Sequence, residues 1–416
     1  MDWDLDFFDD IDGDEEGDGH SLLSTAQAVL ERGEVEQALE LGEAYLEKNP
    51  LDVDGMNLCA VAASRLGDHR KALILARKAI SLHPKNAILQ HNLGVLLQGL
   101  GRPGDALLHF QEAIRLQPDF PEAYINMGNA FDELDQTDRT LAMYEEAMRR
   151  MPPSSSLFYN RGYALNRLGR FEEALENFNR ALELNPRDAA TLNACGFALA
   201  NLGRDREALD FYQQAIQFDG KAASYYFNRG LSLLRLERRS EALADFEQAL
   251  RLDDKFFDAC LEKAQLLLEM DYLKEALAAL DQAEEISPGR PETPFYRGLA
   301  LERQGDLTAA LIEFDESLRR DPDSIHTLNN KGNILIDMGR LDEALACFDA
   351  ILQRTSRYAL AHYNRACILA RKGKVREAVR ALSQASQIDS RFLDDARNDL
   401  DFDLIRHAPS FHKLIG

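Results

Sequence analysis

One period governs this chain. The segment Ser155 to Asp188 holds two short helical patterns, and sliding it by 34 residues in either direction brings the same pattern back. Units begin at Gly19, Val53, Ala87, Pro121, Ser155, Ala189, Ala223, Phe257, Pro291, Ile325 and Ala359, and the last ends at Phe392. No insertion or deletion interrupts them. A length of 416 residues would suggest two or three globular domains. A sustained period of this size overrides that expectation, because each unit buries its apolar face only against its neighbours. The result is a stack of units sharing a continuous core.

Four columns define the unit, counting places from each start. Place eight is small: Ala26, Ala60, Gly94, Gly128, Gly162, Gly196, Gly230, Ala264, Gly298, Gly332 and Ala366. Place twenty is Ala in every unit but one, where Thr140 stands. Place twenty-four is mostly aromatic: Phe110, Tyr144, Phe178, Tyr212, Phe246, Phe314 and Phe348. Place thirty-two carries Pro50, Pro84, Pro118, Pro152, Pro186, Pro288 and Pro322. The small residue at place eight lets a second helix approach, with the Ala of place twenty as its expected partner. The aromatic is expected to fill the gap between the helices. Proline stops the second helix because it cannot continue the hydrogen-bond ladder. Between the helices lies a turn, often Gly then a polar residue as at Gly203-Arg204, where Gly accepts the positive φ that ends a helix.

These columns resemble the tetratricopeptide repeat (TPR), a helix–turn–helix unit, over Gly19 to Phe392. The departures are local: Gly220, Asp254, Ser356 and Ser390 replace the closing proline, and Asp135, Glu237 and Asp271 replace the turn glycine. The resemblance implies an all-α fold, a right-handed superhelical α-solenoid. Three parts are expected: an acidic, disordered tail over 1–18, eleven repeats over 19–392 with the first a degenerate cap, and a C-terminal capping helix and tail over 393–416.

Charge narrows the partners. The net charge is −23, which opposes nucleic-acid phosphates and anionic membrane surfaces. No window of 18 apolar residues suggests a membrane span, and no basic-then-apolar start suggests a signal peptide. The five cysteines form no C-x-x-C pair and read as small buried hydrophobes in a reducing compartment, so a cytoplasmic location is expected. No metal, phosphate or dinucleotide motif occurs, and the nine histidines are scattered. The expectation is therefore no enzyme, no cofactor and no metal.

The first 18 residues hold ten acidic side chains and no Lys or Arg. Trp3, the only tryptophan, and Leu5, Phe7 and Phe8 are interleaved with Asp2, Asp4 and Asp6. The segment reads as a solubilising tail or, alternatively, as a binding or self-docking motif.

Helical spacing puts places two, six, nine and thirteen on one face of the first helix. By the resemblance, that face lines the concave side of the superhelix. Place six offers Asn92, Asn126, Asn160, Asn228, Asn330 and Asn364. An amide both donates and accepts, so such a row can hold a peptide backbone regardless of sequence; the other reading is local hydrogen bonding. Tyr159, Tyr163, Phe197, Phe227, Phe295 and Tyr363 would add apolar contacts. Arg167, Arg235, Arg303 and Arg371 recur at place thirteen of alternate units, with Glu269 and Asp337 between them, and read as inter-repeat ion pairs or as cations for an acidic ligand. TPR modules that clamp acidic chaperone tails use a Lys at place five. Here Asn329, Asn333 and Asn364 are the nearest match and the Lys is missing, so tight binding of that kind is not expected. The function expected from these features is a protein-interaction scaffold or adaptor that holds an extended peptide or a helix in the concave groove. The alternatives are a self-assembling structural homo-oligomer and a regulatory subunit autoinhibited by its own tail.

Overall fold

The computed structural model describes residues 19–416, with side chains from residue 22. The expected tail over 1–18 lies outside the described residues. Helices follow one another in pairs, and among the described residues no strand occurs. The chain divides into two compact units, the first ending at Phe218 and the second running from Asp219 to Gly416.

The first unit contains six pairs: α1 (Gly19–Glu31) with α2 (Val35–Lys48), α3 (Val53–Arg65) with α4 (His69–Leu82), α5 (Ala87–Gly99) with α6 (Pro103–Leu116), α7 (Pro121–Glu133) with α8 (Thr137–Arg150), α9 (Ser155–Arg167) with α10 (Phe171–Leu184), and α11 (Ala189–Asn201) with α12 (Asp205–Phe218). The second contains five: α13 (Ala223–Arg235) with α14 (Arg239–Leu252), α15 (Phe257–Glu269) with α16 (Leu273–Ile286), α17 (Glu292–Arg303) with α18 (Leu307–Arg320), α19 (Ile325–Asp337) with α20 (Leu341–Arg354), and α21 (Ala359–Arg371) with α22 (Val375–Ile388). It closes with α23 (Arg391–Asn398), a 3-10 helix η1 (Leu400–Ile405) and α24 (Pro409–Ile415).

Each pair is built by local chemistry. Side-chain caps start several helices: Asp52 accepts from the amide of Gly55 at 2.7 Å, and Ser154 from that of Leu157 at 3.1 Å. Left-handed residues turn the chain at place fifteen. Eight of these turns use glycine, such as Gly203 at φ 73°, but Asp135, Glu237 and Asp271 adopt φ of 57°, 59° and 64° there. The turn survives the loss of glycine because its geometry is fixed by the two helices it joins.

The packing inside a pair differs from the sequence expectation in one respect. The contact that requires a small residue at place eight is the aromatic ring of place twenty-four, not the Ala of place twenty. A Cβ added at Gly94, Gly128, Gly162, Gly196, Gly230, Gly298 or Gly332 would lie 2.6–2.7 Å from a ring carbon of Phe110, Tyr144, Phe178, Tyr212, Phe246, Phe314 or Phe348 respectively. The rings are themselves buried, six of the seven at 0–1 % exposure. Where place eight is Ala, the residue at place twenty-four is smaller: Gly42 with Ala26, Ala76 with Ala60, Leu280 with Ala264 and Leu382 with Ala366. No ring stands at place twenty-four of those four units, and at Gly42 the space is taken by Cys59 and Leu58 of the next unit.

Gly196→Ala tests this contact. At an open helical site that change gains about 1 kcal/mol. Here it is expected to lower stability by about 1–3 kcal/mol through overpacking against Tyr212. Adding Tyr212→Leu, the combination the chain uses at Ala264 and Leu280, should restore much of the loss. Thermal melts of the two single variants and the double variant read the coupling directly; additive effects would count against the shared volume.

Candidate functional site

The expected binding row divides, in the structure, into residues engaged within the fold and a smaller set facing outward. In the first unit, Asn92 is buried at 9 % exposure and donates to Asn57 Oδ1 at 2.9 Å. Asn126 donates to His91 Nε2 at 2.8 Å, which makes Nδ1 the protonated nitrogen, and His91 Nδ1 donates to Asn92 Oδ1 at 3.3 Å. The bonds therefore run one way, Asn126 to His91 to Asn92 to Asn57, and tie α7, α5 and α3 together. The His91 ring also packs 4.8 Å from Phe120 and 5.7 Å from Phe110. Burial lowers its pKa to about 4, so the imidazole stays neutral.

Asn160 on α9 is different. It is partly exposed and has no hydrogen-bond partner among the described residues. Next to it on the same helix, Tyr163 is 49 % exposed, and Phe197, at the same place on α11, is 42 % exposed. Tyr159 backs Tyr163, half-buried, with its ring 5.9 Å from Phe178 and 6.4 Å from Tyr163. Arg167 reaches back to α7, donating to Asp132 Oδ1 at 2.7 Å and to the Asp132 carbonyl at 3.1 Å, and it also pairs with Asp135.

In the second unit the aromatic residues of place five pack inward. Phe227 sits 4.8 Å from Phe256 and 5.9 Å from Phe246, and Phe295 lies 6.0 Å from Phe314. Tyr363 is 9 % exposed, stacked 4.7 Å from Phe392, with its hydroxyl donating to Asp399 at 2.6 Å. Asn330 donates to the His326 carbonyl of its own helix at 2.9 Å, and Asn364 to Asn333 Oδ1 at 3.1 Å. Asn228 and Arg235 are also engaged. Arg303 donates to the carbonyl of Leu268, and Arg371 faces Asp401 at 3.7 Å.

Two regularities emerge that the sequence columns did not reveal. The arginine of place thirteen bonds a last-turn carbonyl of the preceding first helix: Arg65 to Leu30 at 3.5 Å, Arg167 to Asp132, and Arg303 to Leu268. Each of these carbonyls already accepts the amide of the turn residue at place fifteen, so the arginine is a second donor, and its charge offsets the negative end of the helix dipole. Separately, the cation of place seven pairs with the acid of place twenty-five one unit earlier. The pairs are Arg161–Glu145 at 3.2 Å, Lys263–Glu247 at 3.6 Å, Arg297–Asp281 at 2.9 Å, Lys331–Asp315 at 2.5 Å and Arg365–Asp349 at 2.7 Å. A constant separation of sixteen residues was the available signal.

No cysteine is set up as a nucleophile: all five are free and buried, and burial pushes Cys59 and Cys195 up to about 12 and Cys260 to about 11. Cys367, Asp399 and Asp401 come within 4.8 Å of one another. Burial pushes the Cys367 thiol far up, Asp399 already accepts from Tyr363, and Asp401 faces Arg371. A neutral thiol beside two engaged carboxylates is a poor cation cradle.

The His91 network has a pH consequence. The unfolded chain takes up a proton near pH 6.5, whereas the folded chain resists until about pH 4. The stabilisation is therefore complete above about pH 6.5 and is lost as pH falls toward 4, by roughly 3 kcal/mol in all. Denaturant melts of wild type and His91→Gln between pH 7.5 and 4.5 are expected to show a flatter slope in the variant; equal slopes would sink this reading.

Family models described as tetratricopeptide repeat match residues 23–87, 91–156, 155–188, 223–256, 257–290, 295–325 and 329–401. No curated protein sequence matches the chain. Among solved structures, the chain is similar to yeast Tom70 at 16% identity and TM-score 0.46, covering 95% of this chain and 98% of that one. It is similar to Cut9 of the APC/C hetero-tetramer Cut9–Hcn1 at 13% identity and TM-score 0.47, covering 96% of each. It is also similar to YrrB, described as a TPR protein with an unusual peptide-binding site, at 28% identity and TM-score 0.39, covering 44% of this chain and 95% of that one. With family models matching most of its length, this chain belongs to the tetratricopeptide repeat family.

Proposed function

We propose that this chain is a non-catalytic adaptor that holds a partner peptide against the first helices of its pairs. Family membership supports the broader statement, a protein–protein interaction scaffold. The finer reading rests on one observation: Asn160, Tyr163 and Phe197 lie on equivalent faces of α9 and α11, with a free amide beside two exposed aromatic rings. Large rings left in water at successive repeats cost nothing in folding terms but gain strongly when a ligand covers them. The Asn160 amide would donate to and accept from the ligand backbone, and the two rings would take its apolar side chains. Asn92, Asn126, Asn364 and Arg167 then serve the scaffold, since each already bonds a neighbouring helix. A cytoplasmic protein partner, rather than nucleic acid or a membrane, fits the charge of −23.

The test is capture from native lysate with full-length protein, followed by a binding titration with the partner that mass spectrometry identifies. Tyr163→Ala with Phe197→Ala is expected to weaken that partner by about tenfold or more, since interface aromatics carry most of the binding energy. Its melting temperature should stay near wild type, because both rings are solvent-exposed. Phe227→Ala serves as the opposite control, lowering stability. Unchanged affinity in the double variant would remove this face from the partner site.

A further inference from the structure

The chain carries one tetrapeptide twice. Asp4-Leu5-Asp6-Phe7 in the acidic N-terminal segment is repeated as Asp399-Leu400-Asp401-Phe402, where Asp399 caps η1 and the other three open it. The second copy shows how the motif is held. Asp399 accepts from the Tyr363 hydroxyl at 2.6 Å and from the Cys367 thiol at 3.7 Å. Asp401 faces Arg371 at 3.7 Å. Phe402 is fully buried, with its ring 5.9 Å from Tyr363 and 5.4 Å from Phe411, while Leu400 remains 78 % exposed. The seat thus reads three of the four residues: a donor for the first acid, a cation for the second, and an aromatic slot for the phenylalanine. Tyr363 and Arg371 occupy places five and thirteen of the last repeat, and the motif rests on the first helix of that pair.

We propose that this seat is an interaction surface whose second occupant is the Asp4-Leu5-Asp6-Phe7 motif of another copy of the chain. Asp4 takes the Tyr363 hydroxyl, Asp6 faces Arg371, and Phe7 enters the slot of Phe402. The motif precedes the first helix pair and the seat closes the eleventh, so the contact joins the beginning of one molecule to the end of another. Such a head-to-tail contact uses two different patches, and it extends with concentration rather than stopping at a dimer. The resident motif is tethered, with an effective concentration in the millimolar range. Exchange is therefore a minor state in dilute solution. The resident piece is also the part best suited to yield: it is a six-residue 3-10 helix, whose hydrogen bonds are poorer than those of an α-helix.

A labelled peptide of residues 1–18 titrated onto the full-length chain tests the exchange. It is expected to bind, and Asp4→Asn or Phe7→Ala in the peptide should weaken it by roughly tenfold, the scale of one charge-assisted hydrogen bond or one buried ring. Asp399→Asn in the protein loosens only the resident and should tighten the peptide. The opposite signs of Asp4→Asn and Asp399→Asn are the signature of a shared seat. Should Asp399→Asn melt the last pair, Phe402→Leu provides the same reading with the slot still filled. In the full-length chain alone, Trp3 emission should shift to the blue and mass should grow as concentration rises. A scrambled peptide of the same composition binding equally well would overturn the proposal, as would peptide affinity indifferent to both Asp399→Asn and Phe402→Leu. Peptide binding with a chain that stays monomeric, and whose Trp3 emission is unchanged on dilution, would overturn the assignment to a second copy.

Discussion

Seven aromatic rings pressed against seven glycines set the spacing of this architecture. A ring carbon 2.6–2.7 Å from where a Cβ would stand leaves no room for any side chain on the facing helix. The two helices of a pair can be this close only because glycine gives up its side chain, which costs helix propensity of about 1 kcal/mol per site. The buried ring returns more than that through the apolar area it removes from water. The four repeats with Ala in that column carry Gly, Ala or Leu in place of the ring. A residue larger than glycine at place eight therefore goes with a residue smaller than a ring at place twenty-four, as close packing requires.

With the pairs fixed in this way, the remaining links join one pair to the next. A cation at place seven meets an acid sixteen residues earlier, and an arginine at place thirteen bonds a carbonyl thirty-five residues earlier. Each exposed pair contributes little, about 0–1 kcal/mol. Repeated at a constant offset, they favour one register of neighbour on neighbour. The Asn126–His91–Asn92–Asn57 chain of hydrogen bonds does the same work across α7, α5 and α3 in a drier setting, where a broken member would leave buried polar atoms unpaired.

The end of the chain shows what happens when the next repeat is missing. Phe402, Ile405 and Phe411 fold onto Tyr363, Cys367 and Leu382, the surface a twelfth pair would have covered. A cap over 393–416 was expected from the sequence, and the residue that anchors it, Phe402, is fully buried within the acidic run from Asp394 to Asp403. Ala396, Leu400 and Phe402, scattered among five acids, give no clear helical periodicity, so only the docked structure reveals that Phe402 is buried while Leu400 is exposed. The same acidic, phenylalanine-containing chemistry at the other end of the sequence gives the two termini a common language.

The sequence by itself determined the pairs, their order and their turns. The 34-residue period and its columns place ten of the eleven first helices at the residue where the repeat begins, the exception being α17, which starts at Glu292. These features are local, set by propensity, by proline and by glycine within one unit, and so they are written in one unit. Which side chains are available to a ligand was not written there. Asn92 and Asn160 share a column, but one is buried against Asn57 and the other is free, because the residue facing each comes from a different repeat. Tyr159 and Tyr363 share another column, yet the last is covered by a segment nearly forty residues further on. A column specifies where a side chain leaves the backbone; what meets it is decided by the neighbour across the interface, and that is a tertiary fact.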